Sequence, residues 1–428
     1  MNVFKYLTGS MDNWVHIIGI AGVTTSGVAA MFRQLGWKVT GSDKGFYPPV
    51  STFLAEQEIE VMPGFKPERL TVDGRHPDLV VFQGTKGSSN KEYTEALRLG
   101  LTVKTYPAVL QEYVINPARS IVVAGTYGKT TTTAAVAAIL SHAGNNPGWM
   151  FGGLSTDGTL PVMQGGKQSY SVVEGDEYLI STDDRRSKFL LYSPVYLVLT
   201  AMQWDHPDLF PTKESYLDAF TGLISQVPAE GLIVANAADI HIVEAVKNAA
   251  CRVVFYAADH TTAHAKPDWI LMRGSKPLPS FVRDTDSPEI IPYERKLIGE
   301  FNEENLLAAG ALAYELGIRK ERIQEAISKF SGIRRRLEVR FENEHTVIID
   351  DFGSSPPKAR GALHAVRTDY PDAYIAAVFE PNTGNRVAAS LSEYKDAFAD
   401  ADAVYFPRFT RLPKSDTIHM DESELAEA

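Results

Sequence analysis

The stretch Ser120–Leu140 reads SIVVAGTYGKTTTTAAVAAIL, and how it is parsed decides the fold. Ile121, Val122 and Val123 make an apolar, β-branched run suited to a buried parallel strand. Ala124-Gly125-Thr126-Tyr127-Gly128 ends that run with two glycines, and an Ala-rich helical pattern follows from Lys129 to about His142. A strand, a glycine turn and a helix N-terminus in that order form a phosphate cradle. The glycines let backbone N–H groups approach phosphate oxygens, and the helix N-terminus adds positive potential. Lys129 is placed to bridge outer phosphates. The Thr130 hydroxyl is placed to ligate magnesium, a cation that prefers oxygen. A standard loop of this type carries a further glycine where this chain has Val123.

Working outward, magnesium needs more oxygen or imidazole ligands, and two later segments offer them. VVEGDEY puts Glu174, Asp176 and Glu177 at the end of a strand expected over Tyr170–Glu174. TAMQWDHPD puts Asp205 and His206 after a strand expected over Val195–Thr200. In a parallel sheet the strand C-termini share one edge, where ligands bind. Glu174 and His206 therefore join Lys129 and Thr130 as candidates. Read singly, Glu174 is a solvated acid and His206 a surface-loop histidine.

Strand–helix alternation recurs on both sides of this unit, which argues for doubly wound α/β sheets. WVHIIGIAGVTTSGVAAMFRQLGWKVTGSD, Trp14–Asp43, reads strand, glycine turn, helix, strand, and VKTYPAVLQEYVI repeats strand then helix. NEENLLAAGALAYELG, Asn302–Gly317, predicts an amphipathic helix with small residues on one face. HTVIIDDF and AYIAAVFEP predict buried strands, with a helix at Ala362–Arg367 between them. Asp259–Asp286 is polar and predicts loops and hairpins. A chain of 428 residues exceeds one ordinary core, and three tandem α/β domains are expected, over 1–116, 117–333 and 334–428.

Composition narrows the function. The net charge of −11 disfavours a nucleic-acid backbone as partner. One cysteine, Cys251, rules out an intramolecular disulfide and suits a reducing cytosol. The N-terminus lacks a basic region followed by an apolar core. The longest apolar stretch, Phe189–Met202, is broken by Ser193-Pro194 and is too short to span a bilayer. A cytoplasmic location is expected.

GTYGKTTTT, EGDE, DHPD, GEFNEEN, RRRLEVR and DDFGSSP occur in the order found in the Mur ligases, the ATP-dependent amide-forming enzymes of bacterial cell-wall synthesis, and the chain resembles that family over all three expected domains. The resemblance implies a Rossmann-like N-terminal domain, a central P-loop ATPase-like parallel sheet, and a Rossmann-like C-terminal domain, here shortened. Gly125, Thr126, Tyr127, Gly128, Lys129, Thr130 and Thr131 would cradle ATP, with Asn302, Asn305, Arg335, Arg336 and Asp351 as further nucleotide contacts. Thr130, Glu174 and His206 would hold Mg2+. Gly19, Gly22, Ser42, Asp43 and Lys188 would bind the uridine nucleotide sugar. GSDKGFYPPVSTFL and DRRSKF point to the branch that joins the tripeptide L-Ala-γ-D-Glu-meso-diaminopimelate to UDP-N-acetylmuramate in cell-wall peptide recycling. The branch that adds L-alanine to the same nucleotide sugar is the alternative, and a non-catalytic ATP- and UDP-sugar-binding relative is a further one. The sequence leaves the oligomeric state open.

Chemically, ATP would convert a carboxylate, whose leaving group would otherwise be oxide, into an acyl phosphate that the amine attacks. A dinucleotide-dependent oxidoreductase fails on spacing, because a G-x-G-x-x-G motif from Gly19 would need glycines at Ala21 and Thr24. The chain departs from the family where Tyr127, Phe301, Ser354 and Ser355 stand for histidines and Thr25 for a methionine.

Overall fold

The computed structural model describes residues 13–83, 89–116, 118–167, 169–180, 184–206, 209–273, 279–284, 288–382, 385–387, 390–409 and 420–427. Pro207 and Asp208 of DHPD, Thr383 and Gly384 of FEPNTGNR, and the ends of the chain lie outside the described residues. Two compact units form, Met1–Arg295 with Glu304–Ser331 and Lys296–Glu303 with Gly332–Ala428.

In the first unit, the N-terminal strands β1 (Trp14–Ile18), β2 (Lys38–Asp43), β3 (Glu60–Pro63), β4 (Leu79–Phe82) and β5 (Val103–Thr105) make a parallel sheet in the order β3-β2-β1-β4-β5. The chain runs outward from β1 on one side and resumes on the other, so a crevice opens at the carboxyl ends of β1 and β4.

The remaining strands of this unit build a sheet of ten. They are β6 (Arg119–Ala124), β7 (Gly148–Met150), β8 (Val162–Met163), β9 (Tyr170–Gly175), β10 (Tyr196–Leu199), β11 (Leu232–Asn236), β12 (Arg252–Ala257), β13 (Trp269–Met272), β14 (Ser280–Arg283) and β15 (Glu289–Pro292). Strand β6 lies between β9 and β10 and is parallel to both. The loops that follow β9 and β10 therefore flank the glycine turn that follows β6. The expected hairpins after Asp259 are the antiparallel β13–β14 and β14–β15 pairs.

One apolar core runs through both sheets, from Val15 to Val246. Ile121, Val122 and Val123 are fully buried, as a strand covered on both faces requires. The Val23–Gln34 helix reaches the second sheet at Gly27, where an added Cβ would lie 2.7 Å from Val162 and 2.8 Å from Pro161. The expectation of an amphipathic helix at Asn302–Gly317 is corrected. The helix runs Glu300–Glu315, and Asn305 to Ala313 are buried on every side. Its small residues Ala308, Ala309, Gly310, Ala311 and Ala313 admit close neighbours all round.

The second unit carries an antiparallel pair, β16 (Glu338–Glu342) with β17 (Val347–Asp350), and a parallel pair, β18 (Ala376–Val378) with β19 (Ala403–Tyr405). The Pro356–Asp369 helix covers the span expected at Ala362–Arg367. The two strands are not buried as their apolar runs suggested. Ile348 is 53% and Val378 71% exposed, because each strand belongs to a two-stranded sheet.

Phe220 is fully buried between Phe189 and Tyr216, with ring centroids 5.3 and 5.1 Å away. Phe220→Ala is expected to cost about 3–5 kcal/mol in chemical denaturation with little change in slope. A loss below about 1 kcal/mol would show that the packing there is not as described.

Candidate active site

The turn between β6 and the Lys129–His142 helix is shaped by two glycines with positive φ, Gly125 at +149° and Gly128 at +79°. A Cβ on Gly125 would lie 2.2 Å from Thr200 Oγ1, and one on Gly128 would lie 2.3 Å from Asn305 Oδ1. Both positions exclude a side chain on space as well as on backbone angle. Neighbouring loops hold the turn. Thr126 N donates to Ala201 O at 2.9 Å, and Thr126 Oγ1 donates to Gln203 O at 2.7 Å. Thr200 Oγ1 donates to Tyr127 O. Thr132 Oγ1 donates to Asn305 Oδ1 at 3.2 Å, which ties Asn305 to the helix that opens at Lys129.

Lys129 Nζ folds back to donate to Gly125 O at 2.6 Å and to Glu177 Oε2 at 3.0 Å. Glu177 is buried, and its Oε1 also lies 3.4 Å from His206 Nε2. Burial opposes the charge on Lys129, but Glu177 and then Glu174 outweigh it and raise the ammonium's pKa. Burial alone would raise the Glu177 pKa. The Lys129 charge and the bond from His206 reverse that and hold it down to about 2. Burial likewise opposes charge on His206, yet Glu177 and Asp205 raise it. Beside this pair, Thr130 Oγ1 donates to Glu174 Oε1 at 3.0 Å, and Gly152 N donates to Glu174 Oε2 at 2.6 Å.

The structure thus brings together Gly125, Thr126, Gly128, Lys129, Thr130, Glu174, His206 and Asn305. Thr131 is buried on the same helix, and Tyr127 is 40% exposed. Glu177 stood among three acids in EGDE with no role of its own. Because β9 ends at Gly175, an acid just past the strand end can turn back to Lys129, and that was the available signal. Among the described residues, no group of three His, Cys, Asp or Glu side chains is clustered to hold a metal ion. The Thr130 hydroxyl and Glu174 carboxylate are oxygen donors that fit a hard cation sharing its shell with phosphates and water, and the His206 imidazole would add a nitrogen donor to that shell.

A separate cleft of about 480 Å³ opens at the β1/β4 crevice, lined by Ile18, Gly19, Asp43, Phe65, Gln83 and Asn90 among others. Asp43 Oδ2 accepts from Ala21 N at 2.9 Å, which fixes the glycine turn there. Gly22 is the residue before the Val23–Gln34 helix and accepts from Ser26 N at 2.8 Å. Ser42 is buried, with its hydroxyl donating to the buried Glu92. Lys188 does not line this cleft. Its ammonium donates to Asp176 at 2.7 Å and lies 5.3 Å from the Tyr106 ring centre.

In the second unit, Asn302 is buried and its amide donates to Ile298 O at 2.8 Å. Arg335 and Arg336 stack on Phe352, at 5.2 and 5.6 Å. Asp351 accepts from Leu337 N at 3.0 Å and Gly353 N at 2.7 Å.

Fold and site together define a nucleotide-dependent enzyme built on a phosphate loop. Residues 14–116 match the profile described as Mur ligase family, catalytic domain, and residues 123–313 that of the Mur ligase middle domain. The chain is 30% identical over 401 residues to UDP-N-acetylmuramate--L-alanyl-gamma-D-glutamyl-meso-2,6-diaminoheptandioate ligase of Escherichia coli (strain K12), covering 93% of this chain and 86% of that protein. It is also 30% identical over 414 residues to UDP-N-acetylmuramate--L-alanine ligase of Acetivibrio thermocellus, covering 96% and 85%. The crystal structure of a murein peptide ligase from Psychrobacter arcticus is similar with a TM-score of 0.70 at 27% identity, over 92% of this chain and 84% of that one.

The chain belongs to the Mur ligase family. It is therefore an ATP-dependent, ADP-forming amide ligase of the three-domain α/β type. No helix among the described residues is long and apolar enough to cross a membrane.

Glu177 makes stability acid-sensitive with a defined sign. Its folded pKa lies below the ordinary 4.5, so its contribution is complete above pH 4.5 and is lost as pH falls through about 2. Glu177→Gln is expected to lower stability by roughly 3 kcal/mol at pH 7, a deficit that shrinks as pH falls below 4.5. Denaturation of both proteins across pH checks this, and a pH-independent difference would contradict it.

Proposed function

We propose that this ligase joins L-Ala-γ-D-Glu-meso-diaminopimelate to UDP-N-acetylmuramate, in the cytoplasm, as part of peptidoglycan recycling. The observation that carries the reading is the buried Lys129–Glu177 pair beside Thr130 and Glu174, in the same compact unit as the cleft of about 480 Å³ at the β1/β4 crevice. A relative bearing that activity in its name supports the substrate pair.

In this reading ATP is the co-substrate whose γ-phosphoryl group activates the muramyl carboxylate, and a magnesium ion, when bound, would supply charge neutralisation there. Lys129 exchanges Gly125 O and Glu177 for phosphate oxygens, so the ground-state pair keeps a cation aimed at the loop. The loop's backbone N–H groups other than Thr126 N, which Ala201 O already holds, would bind the phosphate chain, and Thr130, Glu174 and His206 would hold the magnesium ion. The Lys129 ammonium would also stabilise the oxyanion formed when the amine attacks. Gly19, Gly22, Ser42 and Asp43, at or beside the cleft, belong to the uridine nucleotide-sugar assignment, whereas Lys188, held by Asp176, lies outside that cleft. The nucleotide roles of Tyr127, Asn302, Asn305, Arg335, Arg336 and Asp351, and the domain division at 116/117 and 333/334, belong to the same proposal.

A second reading, addition of L-alanine to the same nucleotide sugar, is supported by an equal 30% identity to a ligase of that name. Phosphate release with UDP-N-acetylmuramate separates the two when measured against tripeptide, L-alanine and no amine. Tripeptide dependence supports the first and alanine dependence the second. No release with any amine would overturn both. Lys129→Ala is expected to reduce product formation at least a hundredfold while UDP-N-acetylmuramate binding stays within about twofold, because the cleft lies at the other sheet. Near-normal turnover would remove Lys129 from the chemistry. Glu174→Ala is expected to raise the magnesium concentration needed for half-maximal rate about tenfold or more, and an unchanged titration would exclude it as a ligand.

A further inference from the structure

His206 takes a left-handed backbone conformation, with φ at +57°, uncommon for a side-chain-bearing residue, and several contacts hold it there. Its backbone N–H donates to Asp205 Oδ1 at 2.8 Å. Its Nδ1 shares a 2.9 Å hydrogen bond with the Tyr178 hydroxyl, and the two rings pack with centroids 4.5 Å apart. Its Nε2 faces the buried Glu177.

Tyr178 is itself fixed by the residues around it. Asp176 Oδ1 accepts from Tyr178 N at 3.0 Å, and Asp176 Oδ2 accepts from Lys188 at 2.7 Å. Lys188 N donates to Tyr178 O at 2.8 Å, and its ammonium lies 5.6 Å from the Tyr178 ring centre. The Asp176–Lys188 pair thus clamps the turn that carries the phenol.

We propose that Tyr178 is a positioning residue for His206: its hydroxyl engages Nδ1, leaves Nε2 as the nitrogen directed toward the Lys129–Glu177 centre, and Lys188 and Asp176 hold the tyrosine in place. A phenol suits this task because it donates to a bare Nδ1 and accepts from a protonated one. It therefore keeps the ring's orientation whichever nitrogen carries the proton. When a histidine ligates a metal through one nitrogen, a hydrogen bond on the other fixes ring orientation and tautomer. The inference rests on the proposed role of His206 toward magnesium and extends it to residues with no assigned part in that role.

The test is Mn2+ binding with ATP, followed by electron paramagnetic resonance, in wild type, His206→Ala, Tyr178→Phe and Tyr178→Leu. Tyr178→Phe keeps the ring and removes the hydroxyl. It is expected to weaken Mn2+ about tenfold, to approach His206→Ala, and to leave the thermal midpoint and UDP-N-acetylmuramate binding unchanged. In ¹⁵N-histidine spectra, the signal missing from His206→Ala is expected to shift in Tyr178→Phe. If His206→Ala weakens Mn2+ and Tyr178→Phe does not, Tyr178 does not position it. If only Tyr178→Leu weakens Mn2+, the ring contact acts and the hydroxyl assignment fails. If His206→Ala leaves Mn2+ affinity unchanged, the metal role of His206 falls and this inference with it.

Discussion

A lysine ammonium at the foot of a glycine turn cannot sit dry without a counter-charge, and Glu177 provides it. Most of the site is arranged around that pair. Lys129 opens the helix that Val122 and Val123 feed, while Glu177 comes from the turn after the neighbouring strand. The pair therefore exists only if β6 and β9 are adjacent and parallel, and the register Val123 to Glu174 makes them so. His206 reaches the same acid from the other side, after β10. Three strand ends converge because β6 lies between the other two.

The pair also bears on how the site works. An ammonium already charged and held beside the loop needs little reorganisation to meet phosphate oxygens, and preorganised charge is the form of electrostatic catalysis that costs least at the moment of reaction. Two glycines with no room for a Cβ let the loop turn tightly against Thr200 and Asn305. The β1/β4 cleft lies at the first sheet, whose helix packs against the edge of the second through Gly27, so cleft and phosphate loop share one core.

Much of this was legible in the chain itself. Ile121 to Ala124 mark a buried strand, Gly125 and Gly128 a turn, and Lys129 and Thr130 the start of the helix that follows. The acids of EGDE and the histidine of DHPD were placed on one edge by parallel-sheet logic alone. Sequence order could not show which of three neighbouring acids turns back to Lys129, since the answer depends on where β9 stops. Nor could it show that Tyr178 meets His206 across the loops, or that Ser42 turns inward to Glu92. Periodicity misread the Glu300–Glu315 helix because small residues let it bury every side. It also misread β17 and β18, because apolar runs reveal nothing about how many strands a sheet has.

The proposed function depends on one step, activation of a carboxylate by phosphoryl transfer at the Lys129 loop. The most direct measurement uses UDP-N-acetylmuramate labelled with ¹⁸O in its carboxylate and follows the phosphate released during turnover with ATP and the amine. Passage through an acyl phosphate requires each phosphate to carry one oxygen from that carboxylate. Phosphate released without label during amide formation would contradict it.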